Sequence, residues 1–137
     1  MLNILKPAFI LCIISAFLQI SAYAQDSRPG SEAENMVLSA VSLMNENDIE
    51  GARSVLFKLL AQDAENDAAW YYLGMTSLMS QEVSEAEEYL KKAVELDPDN
   101  FWYRYRLAGL YGATQRQELT VDMYEKLLED FPKRSEL

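Results

Sequence analysis

The chain has 137 residues, 22 acidic and 12 basic side chains, no histidine, one cysteine, and a hydrophobic half. One modest domain fits this length. The net charge of −10 argues against nucleic acid, which needs a basic face, and the missing histidine removes the commonest general base and metal ligand. Five glycines and four prolines mark few turns, which favours helices over many short strands.

The N-terminus carries Lys6, an apolar run over 8–20, and then Ser21-Ala22-Tyr23-Ala24-Gln25. These are the three parts of a cleavable secretory signal, with cleavage expected after Ala24. The run is too short for a lasting membrane span, which needs about 20 apolar residues. Cys12 follows Leu11 and sits inside the apolar run, so it reads as filler lost on cleavage rather than a lipidation site. The expected division is a signal at 1–24, a polar leader at 25–32 with Pro29 and Gly30, three blocks at 33–66, 67–100 and 101–134, and a tail at 135–137. The part after the signal has no cysteine, so export implies no disulfides.

The three blocks are equal in length, with no insertion between them. Block position 8 is Ala40, Gly74 and Ala108; position 20 is Ala52, Ala86 and Thr120. Position 24 is Leu56, Leu90 and Tyr124; position 27 is Leu59, Ala93 and Leu127; position 32 is Ala64, Pro98 and Pro132. Within the middle block, Trp70, Leu73 and Ser77, then Ala86, Leu90, Ala93 and Val94, follow a helical period. Each block therefore predicts two helices. Small residues at positions 8 and 20 let the helices cross closely, and neighbouring hairpins bury each other's apolar faces.

The local signals place the ends. Asn47 or Asp48 begins the second helix of the first block. Ser84 with Glu87 fits a capping box for that of the middle block. Asp97-Pro98-Asp99-Asn100 stops one helix and starts the next. Glu87–Lys91 and Glu88–Lys92 are spaced as i,i+4 ion pairs. The acidic run Glu82, Glu85, Glu87 and Glu88 reads as a solvated helix start, and the Asp97 loop lacks the glycine and the bidentate glutamate of a calcium loop.

On these residues the chain resembles the tetratricopeptide repeat family, whose pattern is Trp-x2-Leu-Gly-x2-Tyr, Ala-x3-Phe, then Pro. The middle block supplies Trp70, Leu73, Gly74, Ala86, Leu90 and Pro98, and departs at Ser77. The third supplies Leu107, Ala108, Tyr111, Tyr124 and Pro132. The first diverges, with Met36, Ser39 and Ala64 at pattern positions. The resemblance implies an all-α, right-handed superhelical solenoid of three helix-turn-helix repeats.

It also implies a concave groove lined by first helices. Here the groove candidates are Val37, Val41, Tyr71, Tyr72, Met75, Met79, Trp102, Tyr105 and Arg106. The face is apolar, aromatic and methionine-rich, suited to an extended or helical peptide. The family's lysine–asparagine carboxylate clamp is not expected, since Val37, Val41, Tyr72 and Trp102 occupy its positions and only Arg106 agrees. Val121, Tyr124 and Leu128 form a C-terminal edge with no following repeat in the sequence, a candidate for self-association.

The expected role is a non-catalytic protein-interaction module, with no cofactor, no metal and a protein or peptide partner, in an exported, envelope-associated assembly. The periplasm is the first location; secretion, or retention at the membrane by an uncleaved segment, is the second. The rival roles are an accessory repeat region of a larger enzyme or transport component, supplied as a piece of a longer reading frame, and an aromatic groove for carbohydrate.

Overall fold

The structure is a computed structural model that describes residues 29–132. The signal, the Cys12 reading and the tail at 135–137 lie outside the described residues. Six helices follow in chain order: α1 (Pro29–Asn45), α2 (Ile49–Gln62), α3 (Asp67–Met79), α4 (Val83–Leu96), α5 (Phe101–Ala113) and α6 (Gln117–Asp130). No strand occurs among the described residues. The chain divides into two compact units at Glu34 and Asn35. Of the first unit only residues 29–34, the opening turns of α1, are described, and the architecture below is that of the second.

Helix α1 begins at Pro29, so residues 29–32, read from the sequence as leader, are helical. Proline suits the first helical position because its fixed φ is helical and its missing N–H has no partner to lose there. The later hairpins turn without glycine. Asn47, Gln81 and Gln115, which share one block position, adopt φ of 62°, 62° and 59°. Each is the left-handed residue of a Schellman turn. The amides of Asn47 and Asp48 donate to the carbonyls of Met44 and Leu43, those of Gln81 and Glu82 to Leu78 and Ser77, and those of Gln115 and Arg116 to Gly112 and Tyr111. The second residue of each pair is also the N-cap of the next helix.

Asp48 caps α2 through its side chain, which accepts from the Gly51 amide at 2.9 Å. The capping box expected at Ser84 and Glu87 does not form. The turn at Gln81 starts α4 at Val83, Ser84 falls inside the helix, and the N-cap Glu82 makes no side-chain cap bond. Between repeats, Asn66 and Asn100 cap α3 and α5 by accepting from Ala69 and Trp102 amides. Of the two expected i,i+4 pairs, Lys91 meets Glu87 at 3.4 Å, but Lys92 meets Glu95 at 3.2 Å rather than Glu88. Both partners of Lys92 lie within reach on an exposed surface, where little energy separates them.

Helices pack in chain order, α2 on α3, α3 on α4, α4 on α5 and α5 on α6. Ala40, Ala52, Ala86 and Ala108, the small residues of the crossings, are 0 % exposed. At Gly74 the helices approach closely: a Cβ there would lie 2.7 Å from Leu90 Cγ. A core of Ala86, Leu90, Leu107, Leu110 and Tyr111 joins the second and third repeats, with Tyr71, Leu78, Val94 and Met123 packed against it. This is an all-α repeat solenoid.

Polar links repeat between second helices, with the charges exchanged. Arg53 of α2 meets Glu82 and Glu85 at 2.6 and 2.5 Å. One repeat later Glu87 of α4 meets Arg116 at 2.7 Å. Arg53 and Glu87 occupy the same block position, as do Glu82 and Arg116. Ser77, the departure from the repeat pattern, is fully buried and donates to Glu85 at 2.7 Å. Its small side chain replaces the tyrosine seen at Tyr111, whose ring instead lies 4.4 Å beneath the Arg116 guanidinium. The Ser77 hydroxyl and Arg53 hold the Glu85 carboxyl below the ordinary glutamate range. Arg116, helped by Lys91, does the same for Glu87.

These contacts make the fold sensitive to acid and to one added methyl group. A lowered folded pKa stabilises the fold above the unfolded value and is lost as pH falls through the folded one. The urea midpoint is therefore expected to hold from neutral pH to about 5 and to drop below about 4.5, with a shallower drop in an Arg53→Gln, Arg116→Gln double variant. Gly74→Ala is expected to lose about 1–3 kcal/mol to overpacking. Gly112→Ala is expected to gain about 0.5–1 kcal/mol, since its Cβ meets only Thr120 at an ordinary 3.5 Å. Urea unfolding of the two variants measures both.

Candidate functional site

In each first helix, block positions 6, 9 and 13 lie at i, i+3 and i+7 and share a face. None of the nine residues there is buried: Leu38, Val41 and Asn45 on α1; Tyr72, Met75 and Met79 on α3; Arg106, Gly109 and Ala113 on α5. Leu38 is 65 % exposed and Met79 46 %. Val41, Tyr72 and Met75 are half-buried. Burial, with Tyr71 beside it, raises the Tyr72 phenol above its ordinary pKa, so it remains a neutral hydrogen-bonding group at physiological pH. Over its first two helices the face is apolar apart from Asn45 and the Tyr72 hydroxyl. On α5 it turns to a guanidinium, a glycine and an alanine.

Other sequence-derived candidates are placed differently. Tyr71 serves the stacking of repeats: its ring lies 4.8 Å from that of Tyr103 on α5 and edge-on to Tyr72 at 5.1 Å. Val37, at the same block position on α1, is half-buried. Trp102 and Tyr105 join a second aromatic group with Phe101, Phe131 and Tyr124. Tyr105 stacks on Phe101 at 5.6 Å and meets Tyr124 at 5.8 Å, and Trp102 meets Phe101 at 5.2 Å. Phe101 meets Phe131 edge-on at 5.4 Å. The rings of Tyr71, Tyr72, Trp102 and Tyr105 thus fall into two groups. Of the edge residues, Val121 is 54 % and Leu128 53 % exposed, while Tyr124 is half-buried against Tyr105.

The sequence reading missed three ring partners. Tyr103 is buried and donates to Asp67 at 2.8 Å; burial and that carboxylate hold its phenol well above the usual range. Phe101 and Phe131 stand where the preceding repeat boundaries have Asp67 and Asp97. That exchange of aspartate for phenylalanine was the available signal. Among the described residues no group of three or more acidic side chains is placed to hold a metal ion, and no helix is long and apolar enough to cross a membrane.

Family profiles described as tetratricopeptide repeat match residues 67–100 and 103–134. The protein O-mannosyl-transferase Tmtc3 of Drosophila melanogaster is 31 % identical over 81 residues, 59 % of this chain and 9 % of its own length. An O-GlcNAc transferase mutant of Thermobaculum terrenum superposes with a TM-score of 0.69 at 21 % identity, over 80 % of this chain and 21 % of its own. MamA superposes with a TM-score of 0.65 at 21 % identity, over 83 % of this chain and 64 % of its own. A chain of the CopN-Scc3 complex gives 0.65 at 16 % identity, over 80 % and 63 %. The chain thus spans a small part of the two transferases and under two thirds of the others, and the structural likenesses carry the fold. The common block register, the stacked hairpins and the two profile matches agree: the chain belongs to the tetratricopeptide repeat family, whose repeats are scaffolds for protein interaction.

Proposed function

We propose that this protein is a non-catalytic adaptor that holds an extended or helical peptide along the shared face of α1, α3 and α5. The observation that supports the reading is that Leu38, Val41, Tyr72, Met75 and Met79, at matching block positions of the first two first helices, stay unburied. An apolar patch kept at the surface of a folded chain marks an interaction site. Methionine adapts to varied anchors, and tyrosine adds contact area with a polar tip. Arg106 would favour a partner with a carboxylate toward the α5 end of the face.

The assembly is placed outside the cytoplasm, in a bacterial periplasm, on the strength of Lys6, the apolar run and Ala22-Tyr23-Ala24. A second reading draws on the names of two similar proteins: the chain is an accessory repeat region that presents protein substrates to a larger glycosyl-transferring enzyme.

Capture from an envelope extract with the tagged chain tests the first reading. A Tyr72→Ala, Met79→Glu variant is expected to lose the co-purifying partner at least roughly tenfold while its helical circular dichroism is retained. Equal recovery would remove the face from consideration. N-terminal sequencing of the protein from its source is expected to begin at Gln25. A chain that begins at Met1 in the soluble cytoplasmic fraction would end the export reading.

A further inference from the structure

The repeat register gives the exposed edge of the third repeat a meaning. Block position 5 is Tyr71 in the second repeat, which stacks on Tyr103 of the next. Position 28 is Val94 there, packed against the core that includes Leu107, Leu110 and Tyr111. Position 21 is Arg53 and then Glu87, each ion-paired to the following repeat. In the third repeat these same positions are Tyr105, Leu128 and Val121, exposed by 44 %, 53 % and 54 %. The edge repeats the geometry of an inter-repeat interface. Its anchoring charge, however, has become valine.

Val121, Tyr124 and Leu128 lie at i, i+3 and i+7 of α6. Along one flank of that row run Glu118, Asp122, Glu125 and Glu129, at i, i+4, i+7 and i+11, all exposed. The only base of α6, Lys126, pairs with Asp122 at 2.8 Å. An apolar row with a carboxylate row on one side complements a helix built the opposite way, apolar on one stripe and basic beside it.

We infer that this edge docks an amphipathic α-helix of a partner protein whose apolar stripe is flanked by lysine or arginine. A second copy fits worse. Head to tail, Val121 would face Asp48, the residue that stands in the first repeat where Glu82 and Arg116 stand in the later ones. Edge to edge with α6 antiparallel, two carboxylate rows would meet, and in any arrangement two chains of net charge −10 repel. This site is distinct from the face of first helices, and its test separates the two.

The probe is a labelled helical peptide of about 18 residues with leucines at i, i+3 and i+7 and lysines on one flank, titrated with the full chain by fluorescence anisotropy. Two controls replace the lysines by glutamates or scramble the leucine positions. The lysine probe is expected to bind at least roughly tenfold tighter than either control. It is expected to weaken by a similar factor with Val121→Asp, Leu128→Asp, or the Glu118→Lys, Glu125→Lys pair, and to bind Tyr72→Ala, Met79→Glu unchanged. These edge positions are exposed, and circular dichroism checks that each variant folds. Equal binding of the scrambled probe, indifference to the edge variants, or loss with the Tyr72 variant would overturn the inference. So would a dimer in sedimentation velocity that Leu128→Asp dissociates, which would assign the edge to a second copy.

Discussion

Three residues held in the left-handed backbone region, Asn47, Gln81 and Gln115, set the phase of the repeat array. Each ends a first helix and hands its neighbour to the second as N-cap, so the first helix of a hairpin ends and the second starts at set residues. Because the three share one block position, every side chain meets the next repeat in the same register. The backbone cost of the left-handed region, about 1 kcal/mol or more for a residue other than glycine, is offset by two hydrogen bonds to carbonyls that a helix end otherwise leaves open.

Once the phase is set, small residues decide how near the helices come. Gly74 lets α3 reach Leu90 in the hairpin it shares with Ala86, and Ala40, Ala52 and Ala108 are the small residues at the matching positions of the other hairpins. The polar links add direction. Arg53 takes two glutamates from the following repeat, and Glu87 takes one arginine. Since the sign alternates, the second repeat presents acid on both sides of its second helix: the first repeat in the third's place would set Asp48 against Glu87, and the third in the first's place would leave Val121 opposite Glu82 and Glu85. These pairs are partly buried, with Arg53 14 % and Glu87 19 % exposed; besides holding their carboxylates ionised in the fold, they decide which hairpin neighbours which.

The same arrangement separates surface from interior in a way that bears on recognition. Tyrosines of one chemistry serve two ends: Tyr71 and Tyr103 are spent on holding repeats together, while Tyr72, one residue away, stays on the shared face. In the third repeat the aspartates of the earlier boundaries give way to Phe101 and Phe131, and the ion-pairing position gives way to Val121. Repeats that bind their successors through charge are followed by one whose edge is apolar and aromatic.

The recurrence of Ala, Gly, Leu and Pro at fixed block positions was enough to find the hairpins, their order and most of the core, because burial at a helical period leaves a mark at each position independently of the rest of the chain. The start of α2 was legible to within Asn47 or Asp48, and the structure makes Asp48 the cap, whose partner, the Gly51 amide, lies within the same helical turn. The Ser84–Glu87 box failed because the helix start was decided by the backbone of Gln81, whose left-handed conformation leaves no compositional trace as strong as glycine would. Which aromatic rings meet was decided only by the tertiary structure. Tyr71, Tyr72, Trp102 and Tyr105 were all expected on one face from the family resemblance, yet stacking against Tyr103 and Phe101 draws them into two groups, since the choice depends on rings of the next repeat or of the neighbouring turn. The periodic burial of each helix is a local property and was written in the sequence; the partner of each ring and each charge depends on how successive hairpins are offset, and that offset exists only in the folded chain.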